Sequence, residues 1–275
     1  MAIGTEKWLF EPSSGGGGGP TPDGSVTLSG TTSLDNGGMV KSIGTTPIGT
    51  TGNITVDTTG NIYGTIKAGG NIQVDSVGNL GDATTPVTLY AGGNIVISNK
   101  MVVCGDLIAV GNITIPAGAS VTGNMVAGGS ITLVGNTVTG TVIVGTDLIL
   151  RKNGSTPCTI SGSSVTGIAI IVYGAGNTNL YLYDNVAHII NGLVYVGSGT
   201  SANLTFGTAV DKNISRINGT VIVRNLLDMT NAAPASNITW NSSNFKDFTS
   251  YPDVFAGFSG GRRVYLPVPG SWKEE

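Results

Sequence analysis

Residues 102–120 read VVCGDLIAVGNITIPAGAS, residues 121–133 read VTGNMVAGGSITL, and residues 138–150 read VTGTVIVGTDLIL. One cassette recurs in them. An apolar residue, a glycine and a second apolar residue are followed by a small residue, another glycine and then Asn, Asp or Ser. Two apolar residues separated by one other residue close the cassette. An internal repeat of this kind is typical of proteins built from stacked, similar units.

The Asn-like position of the cassette sets the length of the repeat. It is occupied by Asn53, Asn71, Asn94, Asn112, Ser130 and Asp147. Successive positions lie about 18 residues apart, with one longer step between Asn71 and Asn94. Each position precedes apolar residues in alternation, which is the pattern of a short strand with one buried face. The sequence therefore predicts an all-β fold, a single right-handed parallel β-helix (β-solenoid) with repeats of about 18 residues.

Stacking explains how such short strands could be stable. Successive repeats would lie about 4.8 Å apart, with Val, Ile and Leu in inward columns. The Asn, Ser and Asp side chains would form a hydrogen-bonded ladder at one corner. One repeat cannot bury its own apolar face, so the stack is the folding unit.

Composition limits the class of protein. The 44 glycines lack a Gly-X-Y period, which excludes collagen and assigns the glycines to turns. Charged residues make up only 11% of the chain, so Thr, Ser and Asn dominate the surface, as in many secreted adhesive and structural proteins. The net charge is −3, and the scattered Lys and Arg residues form no nucleic-acid-binding block.

Two cysteines are too few for a disulfide scaffold. Cys104 and Cys158 lie two or three repeats apart, roughly 10–14 Å along the stack, at about 4.8 Å per repeat. A disulfide needs Cα atoms within about 7 Å of each other. Both thiols are therefore predicted to be free.

Three segments are expected along the chain. Residues 1–24 combine a short apolar strip with a Gly-rich linker, and residues 25–225 form the solenoid. Residues 226–275, where the repeat is no longer visible, form an irregular segment that caps the open end or packs along the flank. Residues 1–12 contain no apolar run long enough for a signal peptide or a membrane span. The chain is therefore either cytosolic or lacks its leader.

The later repeats lengthen to about 25–27 residues, which predicts inserted loops at residues 152–157, 174–179 and 197–203. Insertions in a stacked fold tend to project from one side, commonly the side that binds. Thirteen of the 17 aromatic residues lie at or after Tyr173. They either fill wider repeats or form a stacking surface for sugars or a protein partner. The candidate binding surface comprises Tyr173, Tyr181, Tyr183, Tyr195 and Phe206.

The sequence offers little catalytic chemistry. All four Glu residues lie near the chain ends, and no two Asp residues are adjacent or separated by one residue. Asp57 and Asp75, one repeat apart, are the best candidate carboxylate pair, but both are expected to be solvated turn residues. His188, the single histidine, alternates with apolar neighbours and is expected to face outward or to be half-buried with its hydrogen bonds satisfied. No catalytic residue, metal ligand or cofactor is predicted.

Two protein families resemble this repeat. Residues 103–140 are similar to the bactofilins, bacterial cytoskeletal β-helices, above all in Gly105-Asp-Leu-Ile-Ala109 and Pro116-Ala-Gly-Ala-Ser-Val-Thr-Gly123. A more specific resemblance, over most of the chain, is to PilX-type accessory (minor) pilins of type IV pili. Two features carry it, namely the Ala-Gly-Gly-x-Ile-x-apolar segments and the tail Pro269-Gly-Ser-Trp-Lys-Glu274. The segments lie at 68–74, 91–97 and 127–133.

The pilin resemblance implies an extracellular β-solenoid at or near a pilus tip that serves adhesion or pilus assembly. Residues 1–12 do not resemble the hydrophobic helix with which those pilins begin, so a membrane contact would require a leader helix absent from this chain. The expected function is a non-catalytic cell-surface or pilus-associated binding protein. Its partners would be other pilins or a glycan or protein on a host or other surface. The alternatives are a self-assembling bactofilin-like filament protein and a carbohydrate-active β-helix enzyme.

Overall fold

A computed structural model describes residues 26–30, 52–58, 62–99, 102–197 and 201–240. The predictions for residues 1–24, and for the aromatic residues and tail motif after residue 240, lie outside the described residues. Within the described part the fold is all-β, with 24 strands and no helix. The predicted fold class is confirmed at this level.

The strands form three sheets. Sheet 1 contains β1 (Val26–Gly30), β2 (Ile54–Thr58), β4 (Ile72–Ser76), β6 (Ile95–Ile97), β8 (Ile113–Thr114), β11 (Ile131–Val134), β14 (Asp147–Arg151), β17 (Asn177–Leu182), β20 (Ser201–Phe206) and β23 (Leu226–Asp228). Sheet 2 contains the first three residues of β7 (Val102–Ala109), followed by β9 (Ser120–Thr122), β12 (Thr137–Thr139), β15 (Thr159–Ser161), β18 (Ile189–Asn191), β21 (Arg216–Asn218) and β24 (Asn237–Thr239). Sheet 3 contains β3 (Gly64–Ala68), β5 (Val87–Ala91), the last five residues of β7, β10 (Met125–Ala127), β13 (Val142–Val144), β16 (Ile168–Tyr173), β19 (Leu193–Gly197) and β22 (Val221–Val223).

Each strand pairs with the corresponding strand of the next repeat. From β7 onward the chain passes through sheet 2, sheet 3 and sheet 1 in turn, so β11 pairs with β8 before it and β14 after it. The strand pairings are parallel, and the isolated Asn153–Thr156 bridge is antiparallel. Because equivalent residues are in register, residues of the same type stack in columns.

Aliphatic columns fill the space between the sheets. One column in sheet 1 contains Leu148, Leu180 and Leu204, each completely buried. The matching column in sheet 2 contains Val138, Ile160, Ile190 and Ile217, also completely buried. Alternation within each strand places the intervening residues on the outside.

The predicted Asn ladder is present at the edge of sheet 1. The backbone N–H of Asn112 donates to Oδ1 of Asn94 at 2.8 Å, and the N–H of Ser130 donates to Oδ1 of Asn112 at 2.7 Å. The same bond joins Asn71 to Asn53 and Asn94 to Asn71. From Asp147 onward the bonds run between side chains, through Asn179 and Asn203 to Asn225.

The ladder also explains the glycines that precede Asn112 and Ser130. A β-carbon at Gly111 would overlap Oδ1 of Asn94, and one at Gly129 would overlap Oδ1 of Asn112. A different constraint acts where sheet 2 turns into sheet 3. Gly123 has φ of 145°, and a β-carbon there would overlap the carbonyl oxygen of Gly105. The two glycines of the cassette are therefore required for different steric reasons. One leaves room for the ladder side chain, and the other adopts a positive φ against the backbone of the preceding repeat.

Three buried polar side chains lie at the corner between sheets 1 and 2. Nδ2 of Asn136 donates to the carbonyl oxygens of Pro116 (2.7 Å) and Ala119 (3.1 Å). Nδ2 of Asn213 donates to the carbonyl oxygen of Asp184 at 3.0 Å. His188 lies at the same corner. All three are completely buried, and each contacts backbone groups of the preceding repeat.

The structure corrects the expected end of the repeat at residue 225. Strands β23 and β24 pair in parallel with β20 and β21, so the stack continues at least to Thr239. The predicted insertion at residues 152–157 leaves the sheets as a turn closed by the Asn153–Thr156 bridge. The other two predicted insertions are shorter than expected, because β17 begins at Asn177 and β20 begins at Ser201.

Candidate functional site

The five predicted binding residues do not form one surface. Tyr181 and Tyr183 lie on the outside of sheet 1, because Leu180 and Leu182, which precede them, point into the core. Their rings stack with centroids 5.1 Å apart and an interplanar angle of 23°. The guanidinium carbon of Arg151 lies 5.3 Å from the centroid of the Tyr183 ring, in a cation–π contact.

Burial raises the pKa of both hydroxyls on sheet 1. The negative charge of Asp147 adds to the increase in the pKa of Tyr181. Arg151 partly offsets the increase in the pKa of Tyr183. Both phenols therefore stay protonated at neutral pH and can donate hydrogen bonds.

Tyr173 and Tyr195 form the second pair, on the outside of sheet 3. Their ring centroids are 6.4 Å apart with an interplanar angle of 32°. The Tyr195 ring lies across the backbone of Gly197, where a β-carbon would overlap it. Burial, followed by the proximity of Tyr173, raises the pKa of Tyr195. This pair belongs to a different face of the molecule from Tyr181 and Tyr183.

The assignment of Phe206 to the binding surface was wrong. Phe206 is completely buried and belongs to the main core. It follows Leu204 by two residues in β20 and therefore points to the same, inward side of the sheet. Its aromatic ring fills the core of the wider later repeats. For Phe206, the first of the two interpretations of the aromatic residues is therefore the right one.

Sheet 3 carries an outward column of apolar side chains that the sequence analysis missed. We call it the apolar strip, and it is in register through seven strands. Its members are Tyr90, Ile108, Val126, Ile143, Ile171, Tyr195 and Ile222. Ile168, Ile171 and Leu193 form a small cluster there, separate from the main core, against which Tyr173 and Tyr195 pack. The signal in the sequence was the unbroken apolar run in these strands, as in Ile168-Ala-Ile-Ile-Val172, which is typical of strands covered on both faces.

A groove of about 250 Å³ runs beside the middle of the apolar strip. It is lined by Ile108, Val126 and Ile143 of the apolar strip and by Ser163, Thr166 and Ile168. Its polar wall is a short ladder of Asp106, Asn124 and Thr141.

Hydrogen bonds fix this polar wall. Oδ1 of Asp106 accepts from the N–H of Asn124 at 2.7 Å, and Oδ1 of Asn124 accepts from the N–H of Thr141 at 2.9 Å. The hydroxyl of Thr141 donates to the carbonyl oxygen of Ile168 at 2.9 Å, which links the polar wall to the first residue of β16. The groove is therefore a preformed apolar trough with one polar edge.

His188 is more deeply buried than expected, and both ring nitrogens have partners. The backbone N–H of Cys158 donates to Nδ1 at 2.9 Å, so Nδ1 is the acceptor. Nε2 therefore carries the proton and donates to the carbonyl oxygen of Tyr183 at 2.8 Å. Burial lowers the pKa of His188 and outweighs the opposing effects of the Tyr183 carbonyl and Asp184.

The other candidate reactive groups are dispersed. Asp57 lies opposite Ser76 rather than Asp75, because the register shifts between Val56 and Asp57. Asp75 accepts a hydrogen bond from Gln73 at 2.5 Å. Cys104 and Cys158 are free thiols, as expected, and burial raises the pKa of Cys158. The described residues contain no group of three or more His, Cys, Asp or Glu placed to hold a metal ion.

Comparison with protein-family models, curated protein sequences and solved structures finds no match to this chain. Among residues 26–30, 52–58, 62–99, 102–197 and 201–240, no helix is long and apolar enough to cross a membrane.

Proposed function

We propose that the three sheets are the faces of one right-handed parallel β-solenoid with inserted loops in its later repeats and an end segment that caps it. The fixed order of the sheets along the chain and the uniform pairing of each repeat with the next support this architecture. Right-handedness follows from the strong preference of connections between parallel strands of one sheet.

The proposed function is that of a non-catalytic binding protein that docks a protein partner along the apolar strip. The observation that carries this proposal is the strip itself. Its seven residues in register extend over roughly 30 Å at the usual strand spacing of about 4.8 Å. All of them are partly exposed except Ile171, which is buried in the cluster with Ile168 and Leu193. Contiguous apolar surface rimmed by polar residues marks interaction sites in soluble proteins. Here the ladder from Asp106 to Thr141 provides that rim.

A protein ligand suits this surface better than a glycan suits the tyrosines of sheet 1. Sugars stack on the free faces of aromatic rings, but Tyr181 and Arg151 both lie against the Tyr183 ring. Tyr195, by contrast, belongs to the apolar strip and Tyr173 packs beside it, and aromatic side chains are enriched in protein interfaces. Glycan binding at Tyr181 and Tyr183 is the second candidate, and Arg151 would supply its charged contact.

The groove supports a binding role rather than a catalytic one. It presents one carboxylate, Asp106, and Oδ1 of that carboxylate is already hydrogen-bonded to the backbone. Glycoside hydrolysis uses two carboxylates on opposite sides of the scissile bond. We therefore propose that the protein is not an enzyme.

The setting that we propose is the cell surface, on or near the tip of a type IV pilus, with other pilins as partners. The resemblance of the repeats and of the Pro269–Glu274 tail to PilX-type minor pilins supports this setting. The low charge and the Thr-, Ser- and Asn-rich surface are consistent with it.

The test compares binding of the full chain and of two variants to purified type IV pili and to a glycan array. Ile143→Lys places a charge on a residue that lines the groove. Its control, Thr132→Lys, places the same charge on the exposed outer face of sheet 1. We expect Ile143→Lys to weaken pilus binding at least about tenfold, as for a residue central to an interface, and Thr132→Lys to leave it unchanged. Equal binding by both variants, with unfolding midpoints like that of the unmodified chain, would contradict the proposal.

A bactofilin-like filament is favoured by one observation, the exposed apolar residues Leu226 and Leu227 in the last described repeat. Repeats joined end to end would cover them. Electron microscopy of the purified chain tests this alternative, which requires filaments whose length increases with protein concentration.

A further inference from the structure

A short turn leaves the sheets between β14 and β15. Residues 151–156 are all exposed. Asn153 and Thr156 exchange two backbone hydrogen bonds of 2.9 Å, with Gly154 and Ser155 between them. Gly154 has φ of 61°, as in hairpin turns that have glycine at their first central position. The turn is thus closed by backbone hydrogen bonds alone.

Asn153 and Gly154 form a chemically labile pair. The backbone nitrogen that follows an asparagine can attack the side-chain amide carbon, and a glycine at that position has no β-carbon to obstruct the attack. The side-chain amide of Asn153 and the N–H of Gly154 form no hydrogen bond with any residue that the structure describes. No atom lies within 4 Å of a β-carbon at Gly154, so nothing packs over the turn there.

The same dipeptide occurs twice more in the described repeats, in a protected setting. Asn191 ends β18 and Asn218 ends β21, and each precedes a glycine. Nδ2 of Asn218 donates to Oδ1 of Asn191 at 2.9 Å, so both side chains belong to one ladder. The N–H of Gly192 donates to the carbonyl oxygen of Asn218 at 3.0 Å, and the N–H of Gly219 donates to that of Thr239 at 2.8 Å. At both sites the attacking nitrogen and the side-chain amide are already hydrogen-bonded.

We propose that Asn153 is a site of spontaneous deamidation in the folded protein. The nitrogen of Gly154 attacks Cγ of Asn153, and the new N–C bond closes a succinimide ring. Nδ2 leaves as ammonia and takes the proton that the Gly154 nitrogen loses. Water, the only co-reactant, then opens the ring at either carbonyl carbon, which gives aspartate or isoaspartate.

Local opening decides which of these sites reacts. Ring closure requires the Asn153 side chain to rotate toward the next nitrogen, which disrupts only the pair of backbone hydrogen bonds with Thr156. At Asn191 and Asn218 the same rotation also disrupts the ladder and the strand pairing between repeats. Exposed turns open at a much lower free energy than paired core strands. The reaction therefore adds a negative charge to the exposed turn and leaves the stack intact.

Peptide mass spectrometry of the full chain, incubated folded at mildly alkaline pH, tests the proposal. Conversion of an asparagine to aspartate or isoaspartate raises the mass of its peptide by about 1 Da. We expect Asn153 to convert at least about tenfold faster than Asn191 or Asn218.

Two controls separate the fold from the chemistry of the dipeptide. In concentrated urea the three sites share the same Asn-Gly chemistry without the ladder, so their rates should become similar. In the folded Asn153→Gln variant the mass increase of the turn peptide should disappear, because glutamine would have to close a larger ring, which forms more slowly.

Three outcomes would overturn the proposal. The first is conversion of Asn153 in the folded chain at a rate no higher than that of Asn191 or Asn218. The second is an unchanged Asn153 in the folded chain after an incubation that converts it in urea. The third is a mass increase of the turn peptide that persists in Asn153→Gln. The readout involves neither the apolar strip nor binding, so it is independent of the proposed function.

Discussion

Substitution of Gly111 by alanine tests the link between the ladder and its glycines. The new β-carbon would overlap Oδ1 of Asn94 and would lie 3.0 Å from the carbonyl oxygen of Gly93. The Asn94 side chain must then move and lose the hydrogen bond that it accepts from the N–H of Asn112. That bond contributes about 1 kcal/mol. Crowding in a well-packed site costs about 1–3 kcal/mol more.

These effects lower the free energy of unfolding by about 2–4 kcal/mol, partly offset by about 0.4–1 kcal/mol because alanine restricts the unfolded chain. The measurement is the urea midpoint and slope of the full chain. The matched control is Gly176→Ala, because no atom lies within 4 Å of a β-carbon at Gly176 and its φ is compatible with alanine. We expect the control to change stability by no more than about 1 kcal/mol.

A double-mutant cycle identifies the cause of the loss. If the overlap with Oδ1 dominates, replacing Asn94 by alanine removes the obstacle, and Gly111→Ala should then cost at least about 1 kcal/mol less than in the unmodified chain. Costs that add to within about 0.5 kcal/mol would refute the proposed role of the side-chain overlap. The glycine would then be required for another reason, such as the contact with the Gly93 carbonyl oxygen.

Three further predictions concern buried groups. Burial depresses the pKa of His188 in the folded chain below its ordinary value of about 6.5, which applies to the unfolded chain. At a pH between these two pKa values the unfolded chain therefore binds more protons than the folded chain. Stability should therefore be constant above pH 7 or so and fall, by at most about 1.4 kcal/mol per pH unit, as the pH drops below about 6.5. His188→Gln, in a chain with no other histidine, should abolish that fall in pH-dependent urea unfolding, and its persistence would contradict the assignment. Phe206→Ala should lower the free energy of unfolding by about 3–5 kcal/mol, whereas a loss below about 1 kcal/mol would mean that the ring is not buried. Of the two thiols, half-exposed Cys104 should react with an alkylating reagent in the native state and Cys158 only on unfolding, as counted by mass spectrometry. Native labelling of both would be inconsistent with the burial of Cys158.

The all-β fold, the parallel stacking and the Asn ladder could be predicted because they depend on spacing alone. The step of one repeat from Asn94 to Asn112 places the same residue type at the same corner, whatever the rest of the chain does. Period-two alternation also predicts which aromatic residues of β17 and β20 face inward. Leu204-Thr205-Phe206 places Phe206 with Leu204 on the inward side, whereas Leu180-Tyr181-Leu182 places Tyr181 outside.

The features that were missed depend on strand register and on contacts between repeats, which residue spacing does not reveal. Ile143 and Ile171 have apolar neighbours on both sides, so alternation cannot say which residues face out, and the strip appears only once the strands are in register. The continuation past residue 225 was missed because β23 and β24 each supply a single inward residue, too few to show a period. The burial of His188 depends on the carbonyl oxygen of Tyr183 and the N–H of Cys158, which the fold brings together from different repeats.

The polar side chains at the corner between sheets 1 and 2 have a consequence for folding fidelity. Nearly identical repeats can mispair, since a strand that skips one neighbour still meets valines and isoleucines of similar shape. Asn136, His188 and Asn213 each hydrogen-bond to backbone groups at the same corner of the preceding repeat. A pairing in which the preceding repeat does not present a backbone group at that place would leave each buried side chain without this partner, at about 1–3 kcal/mol apiece. The three side chains therefore favour the native order of the repeats over a skipped one.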